Sequence, residues 1–546
     1  MKSKVSYLNI IIPCLFLLIL FYLPISLVLI KSLTLGKEIS LQAIIDVIKN
    51  PLHQGVILFT IKQAFYSAIA TIILSLPLAW IFGKYNFIGK QLLKSFFLVP
   101  FILPGITVAL GFILFYGNSG FLNQFLNNFG FKLRILYSFK AIIMAHIFYN
   151  IPIAIRIISN TIEKFNIKLI HAAKSLGAND LQVFFKIYLP CLIPSIINAF
   201  ILIFIYCFMT FGIVLILGDV AFTTIEVDIF ILIRQQLNYK TGMALGFVQI
   251  IISLLFLTIS RYFQIKSEYF QSFILEEKNN PPSFNFMSST QNKLKKILES
   301  SYFIIALIFI LAPIISVFFF FINNLFNYQS FVQHFNLFTY DPIIGTNKLS
   351  AITNSLIIGL CSSFITVILA LLLSFGIYNK KYKYLELFAV LPMGISSVTF
   401  GLGFLLLLNY INISRYLLLI FAHSVICFPL VFKIIYEGVI QLKRNYLSAA
   451  KILGANSIQV FTKITLPLMR NNLFNALILS FAISLGEFGA ASILQRNFVT
   501  IPIAIYRHIS ARDFISATGM SLILILTAII VFYASEHLKS ILQKKA

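Results

Sequence analysis

Twelve apolar runs, each of them 20 residues or longer, set the terms for this 546-residue chain. With ends good to a few residues they are Ile10–Ile30, Val56–Phe82, Leu92–Tyr116, Tyr137–Ile158, Cys191–Leu217, Gly242–Phe263, Tyr302–Ile322, Ser350–Tyr378, Glu386–Asn409, Tyr416–Tyr436, Asn472–Leu494 and Phe514–Tyr533. A helix rises 1.5 Å per residue, so about 20 residues cross the hydrocarbon of a bilayer. A membrane barrel would show short alternating segments instead. The expected fold is an all-α integral membrane protein. Only 11% of residues are charged and mean hydropathy is +0.94, values a soluble core of this size would not need.

The formal charge of +25 raises nucleic acid as a partner, but the distribution argues for a membrane. Basic residues collect at every second connection: Lys2 and Lys4; Lys84, Lys90 and Lys94; Lys164, Lys168, Lys174 and Lys186; Lys380, Lys381 and Lys383; Lys443, Arg444 and Lys451. That is the positive-inside pattern, and it places both termini in the cytoplasm with no role for nucleic acid. The first run is too long for a signal-peptide core and lacks a small-residue cleavage site, so it reads as a retained span. Cys14, Cys191, Cys207, Cys361 and Cys427 all fall in apolar runs without a CxxC pair. They suggest neither a disulfide framework nor a metal site.

A repeat divides the chain. Residues 170–190 read IHAAKSLGANDLQVFFKIYLP and residues 447–467 read LSAAKILGANSIQVFTKITLP, at an offset of 277. His146 and Pro152 match His423 and Pro429 at that offset, while Pro100 and Gly111 match Pro392 and Gly403 at 292. The difference lies in one connection, long at Gly117–Leu136 and short at Tyr410–Arg415. The expected organisation is two homologous six-helix halves: residues 1–263 with a loop at 169–190, a linker at 264–300, and residues 301–546 with a loop at 446–467. Six spans per half make the repeats parallel.

Each repeated loop carries its own punctuation. Leu169, Ala173 and Leu176 share a face of a short helix that Gly177 can end in the left-handed conformation. Asn179 and Gln182 have the spacing of a capping box for a second helix, and Pro190 marks entry to the next span. Tyr446, Ala450, Leu453, Gly454, Asn456, Gln459 and Pro467 repeat the pattern. A lipid-resting amphipathic helix does not demand fixed Gly and Pro spacing, so two matched loops point to two docking points for a partner that comes in pairs.

The pattern Ala172–Ala173…Gly177…Ile187–Tyr188–Leu189–Pro190, and again Ala449–Ala450…Gly454…Ile464–Thr465–Leu466–Pro467, resembles the EAA loop of permease subunits in binding-protein-dependent bacterial ABC importers. The usual Glu is His171 in one copy and Ser448 in the other, which removes a salt bridge there but not the docking shape. The resemblance implies a type I ABC importer permease in the bacterial inner membrane. It also implies two copies of a cytoplasmic ATPase that carry ATP and magnesium, an extracytoplasmic solute-binding protein, and no cofactor on this chain. In such permeases the loops are the coupling helices, which assigns coupling to His171, Ala172, Ala173, Gly177, Pro190, Ser448, Ala449, Ala450, Gly454 and Pro467. Fused permeases for thiamine and for ferric iron are most alike. Ala145–Arg156 and Leu103–Asn123 look like the thiamine type, and Ser484–Gly489 occurs in similar form in both.

No GxxxxGK[ST] phosphate loop, HExxH or GxSxG occurs, so the chain is expected to be a transport subunit without catalytic or metal residues. A 6+6 secondary transporter of the major facilitator type is the rival from another class. Its acidic and multi-arginine loop is absent from Gly83–Lys90.

Glu487 stands about 22 Å into its span, where a lipid-facing charge costs about 3 kcal/mol. It either holds a substrate cation beside Phe488 or forms a gate with Gly486 and Gly489; its first-half counterpart is the neutral Thr210. The gate is favoured. His146 and His423 read as helix–helix hydrogen bonds. Glu226 and Asp228 either meet a binding protein or are solvated.

Overall fold

The computed structural model describes residues 2–35, 38–87, 89–90, 93–94, 97, 100, 103–165, 167–274, 284–285, 293–326, 335–380, 382, 384–442, 450 and 452–544. Among them eleven helices are long and apolar enough to cross a membrane, and a pair bent by 98°, Tyr384–Gly394 with Ser397–Leu407, makes a twelfth if counted as one span. Local sequence sets several ends. Asn50 caps the Pro51–Lys84 helix, its side chain accepting the Leu52 N–H at 3.0 Å. Ser138 caps Phe139–Glu163 and Ser414 caps Arg415–Gln441 in the same way. Such caps satisfy orphan N–H groups that lipid could not.

Three expected spans prove broken. The Glu386–Asn409 run turns at Gly394–Ser396: Pro392 lacks a donor, and Ser396 starts a new helix by accepting the Thr399 N–H at 3.1 Å. Cys191–Leu217 divides into Leu189–Phe208 and Gly212–Leu217, and Asn472–Leu494 into Leu466–Gly486 and Gly489–Leu494. Of the Leu92–Tyr116 run, the helix described is Gly105–Tyr116; most of residues 91–102 lie outside the described set.

Short helices at Gln42–Lys49, Ile225–Arg234 and Ile501–Ser510 fill connections that periodicity did not mark. The linker is partly helical, as the flanking helices run to Ile274 and from Lys293. Phe284–Asn285 pairs in parallel with Tyr85–Asn86.

Three π turns share one cause. Leu18–Tyr22, Phe184–Tyr188 and Phe461–Thr465 each end just before a Leu–Pro pair: Leu23–Pro24, Leu189–Pro190 and Leu466–Pro467. A proline removes one donor and crowds the carbonyl four residues back. The wider turn, with the Leu189 N–H reaching Phe184 O, relieves both. Pro190 therefore stands in the first turn of the Leu189–Phe208 helix, as its position suggested, but with no break before it.

The chain forms two compact units. One comprises Met1–Val47, Ile229–Val248 and Phe321–Ala546; the other comprises Ile48–Asp228 and Gln249–Phe320. Each unit therefore holds the opening span of one repeat with the later spans of the other. In the first unit Pro24 lies on Gly403, where an added Cβ would come within 2.8 Å of the Pro24 carbonyl oxygen. In the second, Gly111 meets Pro313 in the same way at 2.6 Å, and the Ser316 hydroxyl donates to Gly111 O at 3.1 Å. The repeat-matched glycines permit the same close crossing twice.

Candidate functional site: paired loops and broken spans

The two loops fold alike. In the first, Ile167–Ser175 is helical and Gly177 has φ +86°. The Ala178 N–H donates to Ala173 O at 3.0 Å and the Gly177 N–H to Lys174 O at 3.0 Å, a Schellman ending. The Asn179 N–H donates to Gln182 Oε1 at 3.0 Å, and the Gln182 N–H to Asn179 Oδ1 at 2.8 Å, closing the expected capping box. In the second, Gly454 has φ +85°, Ala455 donates to Ala450 O at 3.0 Å, and Asn456 and Gln459 exchange bonds of 2.9 and 2.8 Å. Ser448 and Ala449 lie outside the described residues.

The tips are open. An added Cβ at Gly177 or Gly454 would meet nothing within 4 Å. His171, Ala172 and Lys174 are exposed, Ala173 is half-buried, and Pro190 and Pro467 are exposed. Leu176 is 89% exposed and its repeat partner Leu453 is 86% exposed. Each forgoes roughly 2 kcal/mol of burial, which a protein partner would recover.

Aromatic contacts tie the turns to neighbouring spans, a feature the sequence did not reveal. The sole tryptophan, Trp80, meets Phe184 at 5.6 Å and Tyr188 at 4.9 Å between ring centroids. In the second repeat Phe375 meets Phe461 at 5.8 Å. Trp80 and Phe375 share the 295-residue offset of Ser67 and Ser362, so aligning the repeats along those spans would have found the pair.

The helix breaks are matched too. Met209–Phe211 separates two helices in the first repeat, and Glu487–Phe488 separates two in the second. Thr210 is buried, and its carbonyl accepts from the Thr224 hydroxyl at 3.4 Å. Glu487 is half-buried in extended backbone at the end of the helix closing on Gly486. Its carboxylate accepts the Ala490 N–H at 3.1 Å and is hydrogen-bonded by the Ser397 hydroxyl. Gly489 packs against Ser397 and Val398. The carboxylate thus faces the starts of two short helices, Ser397–Leu407 and Gly489–Leu494, whose dipoles favour negative charge.

Comparison with known proteins decides the family. The model of the binding-protein-dependent transport system inner membrane component matches residues 75–266 and again 362–545, more than half of the chain. The chain belongs to that family. Over 486 residues it is 24% identical to the thiamine transport system permease protein ThiP of Haemophilus influenzae, covering 87% of each chain. It is 26% identical to the putative ferric transport system permease protein FbpB 1 of the same organism, covering 77% of this chain and 66% of that one. The sulfate transport system permease protein CysT of Salmonella typhimurium is 32% identical over 39% of this chain and 76% of its own. The protein is an ABC importer permease, a multi-pass transport subunit with two copies of the family domain. Family membership displaces the facilitator reading.

In this permease the buried histidines are helix–helix links, as expected. His146 Nδ1 lies 3.0 Å from Ser67 Oγ; His423 Nδ1 lies 2.7 Å from Ser484 Oγ, which also accepts from Ser362 at 2.9 Å. Glu226 is not solvated. Glu226 is wholly buried and accepts from Gln249 at 2.7 Å, because its helix turns that face inward. Asp228 pairs with His53 at 2.9 Å; burial pushes its carboxyl up against that pull. Among the described residues no group of three or more His, Cys, Asp or Glu could hold a metal ion.

Proposed function

We propose that this permease passes thiamine or its phosphates from a solute-binding protein to the cytoplasm, driven by two copies of a separate ATPase. The ATPase carries the ATP and magnesium; this chain supplies the path. The likeness to a thiamine permease along 87% of both chains is the observation that carries the substrate, since it spans both repeats.

In this reading each ATPase copy seats one loop, burying Leu176 or Leu453 beside the turn fixed by Gly177 or Gly454. His171, Ala172, Ala173 and Pro190, with Ser448, Ala449, Ala450 and Pro467, complete the two docking surfaces, which face the cytoplasm with both termini. Closure of the ATPase pair draws the loops together. The π turns pass that movement through Trp80 and Phe375 into the adjoining spans. The breaks at Thr210 and at Gly486–Glu487–Phe488–Gly489 act as pivots of the gate. Because helix ends and a hydroxyl already answer the Glu487 charge, gating is favoured over contact with the substrate cation.

Ferric iron is the second reading, favoured by the likeness to a ferric permease along 77% of the chain. Thermal stabilisation of the importer's solute-binding protein separates the two. A shift with micromolar thiamine or thiamine diphosphate supports the first, and a shift with ferric iron alone overturns it.

A further inference from the structure

Three arginines gather where the first unit has no acid to meet them. Arg415 opens the Arg415–Gln441 helix, whose other end leads into the second loop. Its 27 residues set Arg415 roughly 40 Å from that loop. Arg415 Nη1 donates to Leu494 O at 3.4 Å, and neighbouring Tyr416 stacks edge-on against Phe498 at 5.3 Å. The 494–500 segment leads into the Ile501–Ser510 helix, where Arg507 Nη1 donates to Ile344 O at 2.7 Å. Beside Arg507, Tyr506 meets Phe230 at 6.4 Å, and Arg234 lies one turn beyond Phe230.

None of the three has a carboxylate within 4.0 Å among the described residues. The nearby acids are engaged: Asp341 by Lys348 and His508, Asp513 by His508 and Ser516. Partial burial, and then the charges of Arg415 and Arg507, depress the Arg234 guanidinium, so the cluster is electrostatically unbalanced. Backbone carbonyls hold two of the three guanidinium groups in place and leave their other N–H groups free for an oxyanion.

The repeat sharpens the meaning. At an offset of 277 Arg415 matches Ser138, and at 276 Arg507 matches Ile231 and Arg234 matches Ser510. The docking loops occur twice, whereas this cluster occurs once. A chain with like repeats offers a lone partner two equivalent ways to sit, and a one-sided charge favours one of them.

We infer that Arg234, Arg415 and Arg507 form a docking patch for an acidic face of the importer's solute-binding protein, and that the patch fixes which way round it sits. This rests on the importer reading above. Charge at such a patch acts mainly on association rate and salt dependence.

The test uses the whole permease–ATPase complex in nanodiscs and the importer's own solute-binding protein, with binding followed by surface plasmon resonance at two ionic strengths. The triple variant Arg234→Gln, Arg415→Gln, Arg507→Gln is expected to slow association about tenfold and flatten its salt dependence. A control, Lys132→Gln with Arg134→Gln, both exposed in the Gly117–Leu136 connection, removes two charges elsewhere and should change the rate less than about twofold. A benzophenone at position 416 should capture one face of the partner in the parent and two in the triple variant.

Unchanged association in the triple variant overturns the inference. So does an equal loss in the control, which would mean a diffuse field, or an effect that vanishes in zwitterionic lipid, which would mean a headgroup contact. The ATPase should co-purify with every variant. Loss of the ATPase from the parent would strike at the importer reading instead.

Discussion

The Glu487 carboxylate takes the Ala490 N–H at 3.1 Å and the Ser397 hydroxyl, and so closes the break between two helices. Glu487→Gln keeps an acceptor oxygen, so transport should stay within about threefold of the parent with KM unchanged. Glu487→Leu removes the cap, worth about 1 kcal/mol, and should lower maximal velocity with KM again unchanged. Uptake kinetics in proteoliposomes check both; a rise in KM of about tenfold in Glu487→Gln would make the carboxylate a substrate ligand. Asp513 gives a pH prediction. Burial alone would raise its carboxyl, but hydrogen bonds from His508 and Ser516 hold it down to about 2. A carboxylate with a folded pKa below its unfolded value of about 3.9 stabilises fully above that value. The contribution should fade as pH falls from about 4 through 2, and Asp513→Asn should flatten that part of a melting-temperature profile.

At the level of elements, the loops carry the largest forecast. Gly177→Val or Gly454→Val forces a β-branched residue to φ near +86°, a cost of roughly 1–2 kcal/mol per turn. Membrane insertion should be normal while uptake falls several-fold; quantitative blotting beside transport separates the two, and normal uptake would remove the loops from coupling. Trp80→Ala should uncouple ATP hydrolysis from uptake more than it lowers ATPase binding, because it breaks the ring contacts at 5.6 and 4.9 Å. These loops were legible from the sequence because their determinants are local: the glycine turn and the Asn179–Gln182 box use neighbours three to five residues apart. The breaks at Met209–Phe211 and Glu487–Phe488 were not. Each lies inside a run apolar enough overall to read as one span, Thr210 in the first and Gly486–Glu487 in the second notwithstanding, and hydropathy records burial rather than backbone direction. The π turns hid for a related reason: Pro190 and Pro467 marked a boundary, but the helix absorbed each proline by widening.

For the whole molecule, the number of spans and their duplication could be read in advance, but the pairing of opening spans with opposite repeats could not. That choice depends on Pro24 meeting Gly403 and Pro313 meeting Gly111, contacts hundreds of residues apart in sequence. Gly111→Leu or Gly403→Leu should overpack its crossing at a cost of about 1–3 kcal/mol and lower the melting temperature of the purified permease. Family membership establishes an importer permease; that its movement is driven through the paired loops is the central claim. The most direct measurement is uptake into proteoliposomes holding the permease, its ATPase and its solute-binding protein, with ATP supplied and no ion gradient. The account predicts uptake that needs ATP hydrolysis and fails in the Gly177→Val, Gly454→Val double variant. Uptake that persists without any nucleotide hydrolase, powered by a proton or sodium gradient alone, would contradict it.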